Sequence, residues 1–135
     1  MATTFTREGR LLVVRVSGHL EPEMMLRDVK AAIDDGRLEA GMDRLVVLEK
    51  AARVGDITPG VLMRLQGMIR EIESKGGRQP AYCIAFAAAE WQHRSIAQLY
   101  CAVVRVMSGA KARTQVVSDE AEARHWLERQ WDQAC

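Results

Sequence analysis

Few side chains in this sequence are of the types that catalyse reactions or hold metals, so their spacing can be judged directly. Three histidines, His19, His93 and His125, stand far apart. They fall on three different elements, without the short spacing that would aim two imidazoles at one metal. Each reads as a solvent-facing or hydrogen-bonded histidine. Three cysteines, Cys83, Cys101 and Cys135, include no Cys-x-x-Cys pair, which excludes a zinc knuckle or a dithiol redox motif. Their odd number, with no secretion signal at the N-terminus, implies reduced thiols. Cys83 and Cys101 lie in apolar runs and read as small core hydrophobes. There is no Gly-x-Ser-x-Gly elbow, no His-Glu-x-x-His motif and no clustered carboxylate pair. The one loop placed to cradle a phosphate, residues 49–58, holds a single glycine, Gly55, where a phosphate loop needs several. No catalytic residue, metal ligand or cofactor is expected.

Two loops and a set of methionines are left as candidates for binding. The first loop runs Glu49-Lys50-Ala51-Ala52-Arg53-Val54-Gly55-Asp56-Ile57-Thr58-Pro59-Gly60. It leaves the carboxyl end of a strand, where open α/β sheets take their ligands, and delivers a hydroxyl to a helix N-terminus. Arg53, Asp56, Thr58 and Gly60 are its candidate ligand or partner residues, with Thr58 alternatively a plain N-cap. The second is Glu90-Trp91-Gln92-His93-Arg94, after the small-residue loop Ala87-Ala88-Ala89. Trp91 and His93 either line a pocket there, or Trp91 staples the helix start onto the core. Met24, Met25, Met63, Met68 and Met107 suit either adaptable apolar binding or an ordinary core.

These residues are positioned by a regular succession of elements. Phe5-Thr6-Arg7, the turn at Glu8-Gly9-Arg10 and the apolar, β-branched run 11–17 predict a two-stranded hairpin. Leu12, Val14 and Val16 share one strand face. Arg15 and Ser17 mark the other, which is expected to be less deeply buried. Glu21-Pro22-Glu23 suits a helix start. Met25, Leu26, Val29, Ala32 and Ile33 then form one apolar stripe, and Gly36 or Gly41 ends the helix. Leu45-Val46-Val47-Leu48 is apolar on both faces, as a strand covered from both sides must be. Thr58-Pro59 opens a helix with Val61, Leu62, Leu65, Met68, Ile69 and Ile72 inside, stopped by Gly76-Gly77. An apolar strand at 81–86 follows. A third helix runs from near Glu90 to about Met107, with Ile96, Leu99, Tyr100, Val103, Val106 and Met107 inward, and ends at Gly109. Thr114 to Val117 is a last strand, and Ser118 caps a final helix with Asp119, Glu120 and Glu122 in its first turn. The order ββαβαβαβα predicts one α/β domain over residues 1–135, built on a single mixed, mostly parallel sheet.

Composition narrows the partners. The 135 residues are 48% hydrophobic and 27% charged, a globular balance. Nineteen basic against eighteen acidic side chains leave a net charge of +1, so nothing draws the chain to nucleic acid. No apolar run approaches the ~20 residues of a membrane span. A cytoplasmic protein is expected. The exposed edge of the leading hairpin, with Trp126 and Trp131 near the end of the chain, points to a homodimer.

Taken in order, Val16-Ser17-Gly18-His19-Leu20, Thr58-Pro59-Gly60-Val61-Leu62, Glu90-Trp91-Gln92 and the segment from Ser118 through Glu120, Glu122 and Trp126 to Leu127 resemble the STAS domain. The closer likeness is to its SpoIIAA-like, or STAS/SEC14, branch, and it spans Phe5 to Leu127. The resemblance implies a sheet domain without catalytic machinery that acts as a regulatory or protein-binding module. In anti-sigma-factor antagonists of that family a serine in an Asp-Ser-Ser-Gly turn is phosphorylated. An ungapped alignment puts that turn on Ile57-Thr58-Pro59-Gly60 and the phosphoacceptor on Thr58, with Ile57 and Pro59 replacing the acid and the second serine. Kinship with Sec14-type carriers implies the alternative, a carrier or sensor of a small nonpolar, lipid-like ligand. Such a ligand would need an apolar cavity of several hundred Å³, lined by Met63, Met68, Leu99 and Val103.

Overall fold

The computed structural model of the protein describes residues 3–75, 81–108 and 112–133; the helix stops expected at Gly76-Gly77 and Gly109, and Cys135, lie outside them. Strands β1 (Thr3–Glu8) and β2 (Leu11–Val16) form the expected hairpin. Gly9, at φ +61°, supplies the positive φ that a two-residue loop needs to match the twist of its strands. The chain continues through α1 (Pro22–Asp34), β3 (Asp43–Leu48), α2 (Pro59–Lys75), β4 (Tyr82–Ala88), α3 (Trp91–Ser108), β5 (Ala112–Val117) and α4 (Glu120–Gln133). Gly36, at φ +82° just past the Asp35 cap, rather than Gly41, turns the chain out of α1.

The strands lie side by side in chain order, β1-β2-β3-β4-β5. β1 is antiparallel to β2 and the other three pairings are parallel. Sequential order has a consequence for the layers. Each parallel crossover is right-handed, and stepping always in one direction puts every crossover helix on the same face. One face of the sheet accordingly packs against α1, α2 and α3 through Val16, Leu48, Ile84, Phe86, Leu26, Leu62, Tyr100 and Val104, with Leu12, Val29, Ala32 and Ile69 continuing that layer. Only α4, which follows the last strand, is free to cross to the other face. There Ala123 and Leu127 cover Leu11, Val13, Leu45, Val47, Cys83 and Ala85, with Trp126 packed alongside.

That α4 layer corrects one expectation. The second face of β2 is deeply buried at Leu11 and Val13, because α4 lies over it, and only Arg15 at its end is half-buried. Three further corrections concern ends and faces. β4 runs on through Ala87 and Ala88, which pair with Val47 and Leu48, so the expected small-residue loop is the end of a strand. Asp119, not Ser118, caps α4, its Oδ1 accepting the Glu122 N–H at 2.8 Å. Val106 is exposed rather than inward, its place on α3 taken by Ala97, Cys101 and Val104.

Cys83 and Cys101 are buried, and burial pushes both thiols above their ordinary pKa, as core cysteines require. Of the methionines, Met25 is buried, Met68 and Met107 pack against the main core, and Met24 and Met63 face solvent. Trp126 and Trp131 dock on their own chain: Trp131 Nε1 donates to Asp43 Oδ2 at 2.7 Å. Trp126 packs against the α4-face core, whereas Trp131 keeps 40% of its surface exposed. The sheet edges are β1 and β5. Among the described residues no helix is long and apolar enough to cross a membrane.

Candidate functional site

The carboxyl ends of β2 and β3 open into two loops that meet. Gly18, at φ +67°, turns the chain out of β2. Residues 18–20 then run parallel to residue 53, with Arg53 N–H donating to Gly18 O at 2.7 Å and Leu20 N–H to Arg53 O at 2.9 Å. This short pairing brings together two residues far apart in sequence. His19 Nε2 lies 2.6 Å from Asp56 Oδ2, with both side chains about half exposed.

Thr58 is the N-cap expected: its Oγ1 accepts the Val61 N–H at 3.3 Å. α2 has no acidic residue in its first turn, so this hydroxyl is the side-chain ligand of the helix start. Gly60 follows inside the first turn. A Cβ there would stand 3.8 Å from Thr58 Oγ1, an ordinary contact, so the position does not require glycine. Arg53 is exposed and contributes to the loop through its backbone.

The segment opening α3 divides in two. His93 is 2% exposed and its Nε2–H donates to Ala52 O at 2.6 Å. The loop after β3 is thereby tied to α3, and His93 is a structural tether. Its Nδ1 is buried with no hydrogen-bond partner among the described residues. Trp91, two residues earlier, points the other way and is 72% exposed. The staple expected of Trp91 is absent because Ala52 and the buried His93 already close that junction. The structure therefore gathers Arg53, Asp56 and Thr58 on one rim, adds His19, and sets Trp91 on the adjoining turn. His19 escaped sequence reasoning because nothing local links it to Asp56, 37 residues away.

Near this rim, on the α4 face, ion pairs join β2 to α4. Arg15 donates to both oxygens of Glu120 at 2.8 and 2.9 Å, and Arg124 bridges Glu120 and Glu8. The Arg15 hydrogen bonds, with those from Arg124, hold the Glu120 carboxyl at about 2. Among the described residues no group of three His, Cys, Asp or Glu side chains is placed to hold a metal.

Between the sheet and helices α1, α2 and α3 lies an apolar cavity of about 110 Å³. Val14, Val46, Leu65 and Ile69 are among its walls. Met63, Met68, Leu99 and Val103 do not line it: Met63 is exposed, and the others pack into the core elsewhere. The volume is below the several hundred Å³ expected for a lipid-like ligand.

No protein-family model matches the sequence, and no curated protein matches it.

Proposed function

We propose that the chain is a non-enzymatic, cytoplasmic regulatory module of the STAS type, in its SpoIIAA-like branch, that binds a protein partner through the rim at the carboxyl end of its sheet. The observation that carries this reading is the exposure of Trp91 at the start of α3, the helix that His93 ties to the loop carrying Arg53, Asp56 and Thr58, together with the exposed His19–Asp56 pair. A solvated tryptophan next to hydrogen-bonding groups is the composition of an interface anchor and its surroundings. The order of strands and helices, with all three crossover helices on one face, supports the fold part of the reading. Thr58 retains the acceptor position of the family turn. A phosphate added there would sit at a helix N-terminus whose first turn has no acid, which favours the dianion. Self-pairing along β1 or β5 is the route to a homodimer.

Site-specific photocrosslinking in native cells tests the interface. A crosslinker at position 91 is expected to give one discrete protein adduct. The same group at position 106, exposed but distant from the rim, is expected to give none. Equal adducts at both positions, or turnover of a substrate that is lost when a rim residue is changed, overturn the reading.

A further inference from the structure

We infer that β5 is the dimer edge, pairing antiparallel with β5 of a second copy about a twofold axis at Thr114. The inference rests on the homodimer of the proposed function and chooses between its two edges. Each edge strand offers a row of unpaired backbone groups. β1 carries two charged side chains, and both are engaged within the chain, Arg7 with Glu39 and Glu8 with Arg124. β5 differs. It carries a single charge, Arg113, and a groove of about 350 Å³ runs between it and the flank of α3. Gln98 and Arg105 on that flank and Gln115 on the strand are exposed. Their side chains make no hydrogen bond or ion pair among the described residues.

Along β5, Ala112, Thr114 and Val116 face the three-helix layer, while Arg113, Gln115 and Val117 face α4. A twofold axis normal to the sheet keeps each face on its own side. The strand must then complement its own reversed sequence. Centred on Thr114, it does. Thr114 meets Thr114 of the second copy, a pair whose hydroxyls can hydrogen-bond across antiparallel strands. Ala112 meets Val116 of the second copy, apolar on apolar. Arg113 meets Gln115 of the second copy, a donor against an amide oxygen. An axis at Gln115 would set Arg113 against Val117 instead.

The same axis suits the helix. As the crossover between two parallel strands, α3 runs opposite to β5, and its Cys101 side chain bonds to Thr114. Gln98 and Arg105 lie on either side of Cys101 along α3, each about 5 Å away at ~1.5 Å per residue. Rotation about Thr114 therefore brings Gln98 level with Arg105 of the second copy, and does so twice. Within one helix the two stand about 10 Å apart, out of reach of each other. Ala102, exposed and small, lies between them and lets the two flanks close. No like charges are set opposite one another. Val106, on the opposite side of α3 from buried Ala97, points away from the sheet and stays off the seam.

Sedimentation equilibrium of the whole chain at tens of micromolar is expected to give twice the chain mass. Ala102→Glu sets two carboxylates across the axis and is expected to leave a monomer, folded by circular dichroism. Gln98→Glu faces each new carboxylate with an arginine of the second copy. It is expected to tighten the dimer about fivefold, a gain lost in high salt. Thr6→Lys, on the β1 edge, is expected to leave the dimer constant within about twofold. A monomer at tens of micromolar overturns this inference and the homodimer together. A dimer that survives Ala102→Glu, or one that Gln98→Glu fails to tighten, overturns this inference alone, as does a dimer lost with Thr6→Lys. Should Ala102→Glu fail to fold, the Gln98→Glu and Thr6→Lys measurements decide.

Discussion

Arg15 and Arg44 stand on neighbouring strands, yet the molecule treats them in opposite ways. Arg15 is at the carboxyl end of β2 on the α4 face, half exposed and held by both oxygens of Glu120. Arg44 is at the amino end of β3 under three helices, buried, with a phenol and an aromatic face for company. The difference follows from the layers. A single helix covers the α4 face and leaves its margins wet, so charge there is matched by charge and costs little. Three helices close the other face, and a charge caught beneath them is met by the Tyr100 hydroxyl and the Tyr82 ring, with the Glu73 carboxylate of α2 acting on both phenols. Loss of a contact at the wet margin is therefore expected to cost less than loss of the Tyr100 hydroxyl beneath the helices.

Tyr100→Phe tests that contrast most severely. It deletes the hydroxyl that accepts from Arg44 and donates to Gln66, leaving two buried polar groups unserved. A loss of about 3 kcal/mol in urea unfolding is expected. A loss below ~0.5 kcal/mol would mean that Arg44 is satisfied by other means. His93→Leu removes the tether to Ala52 O but leaves an apolar side chain of fair fit. A cost of about 1–2 kcal/mol and faster proteolysis of residues 49–58 are expected, and a protease pattern like that of the unaltered chain would refute the tether.

At the wet margin the effects shrink. Glu120→Gln breaks the carboxylate shared by Arg15 and Arg124, and for side chains about one-third exposed the expected cost is on the order of 1 kcal/mol at pH 7. The sign of its pH dependence is set by the lowered pKa. A carboxyl depressed from 4.5 to about 2 stabilises the fold above pH 4.5 and loses that contribution as pH falls towards 2, because the unfolded chain binds the proton first. The two proteins should converge in stability across that window, and a gap that persists unchanged at pH 2 would exclude the ion pair as its cause. Thr58→Ala should cost about 1 kcal/mol and Thr58→Ser nearly nothing. An equal loss for both would show that the cap bond to Val61 is not what Thr58 supplies. Smallest of all, Trp91→Ala should leave Tm within the scatter of surface substitutions, about 0.5 kcal/mol, while erasing the position-91 interaction. A large destabilisation would place Trp91 in the core after all.

How much of this was readable in advance depends on the range of the signal. The apolar stripe of α1, the Pro22 and Pro59 starts, the Thr58 cap and the alternation that dictates a mostly parallel sheet are all written within a few residues, and the structure has them. The caps shift by a residue where two capping types adjoin, as at Ser118 and Asp119, because either side chain can reach the same N–H groups. The sequence left Trp91 open between a pocket wall and a helix staple, and the structure exposes it because a neighbour, His93, takes the docked position.

What local chemistry alone determined is therefore the set of elements, their order and most of the faces they bury, since 3.6- and 2-residue periods are properties of a short stretch of chain. Only the tertiary structure decided that α4 crosses to cover Leu11 and Val13, that His19 meets Asp56, and that Arg44 is buried against Tyr82 and Tyr100. Each of these depends on which strands become neighbours and in what register. That choice is made by the packing of the whole sheet, and no window of sequence around Arg44 contains Tyr100, Gln66 or the helices that exclude water from it.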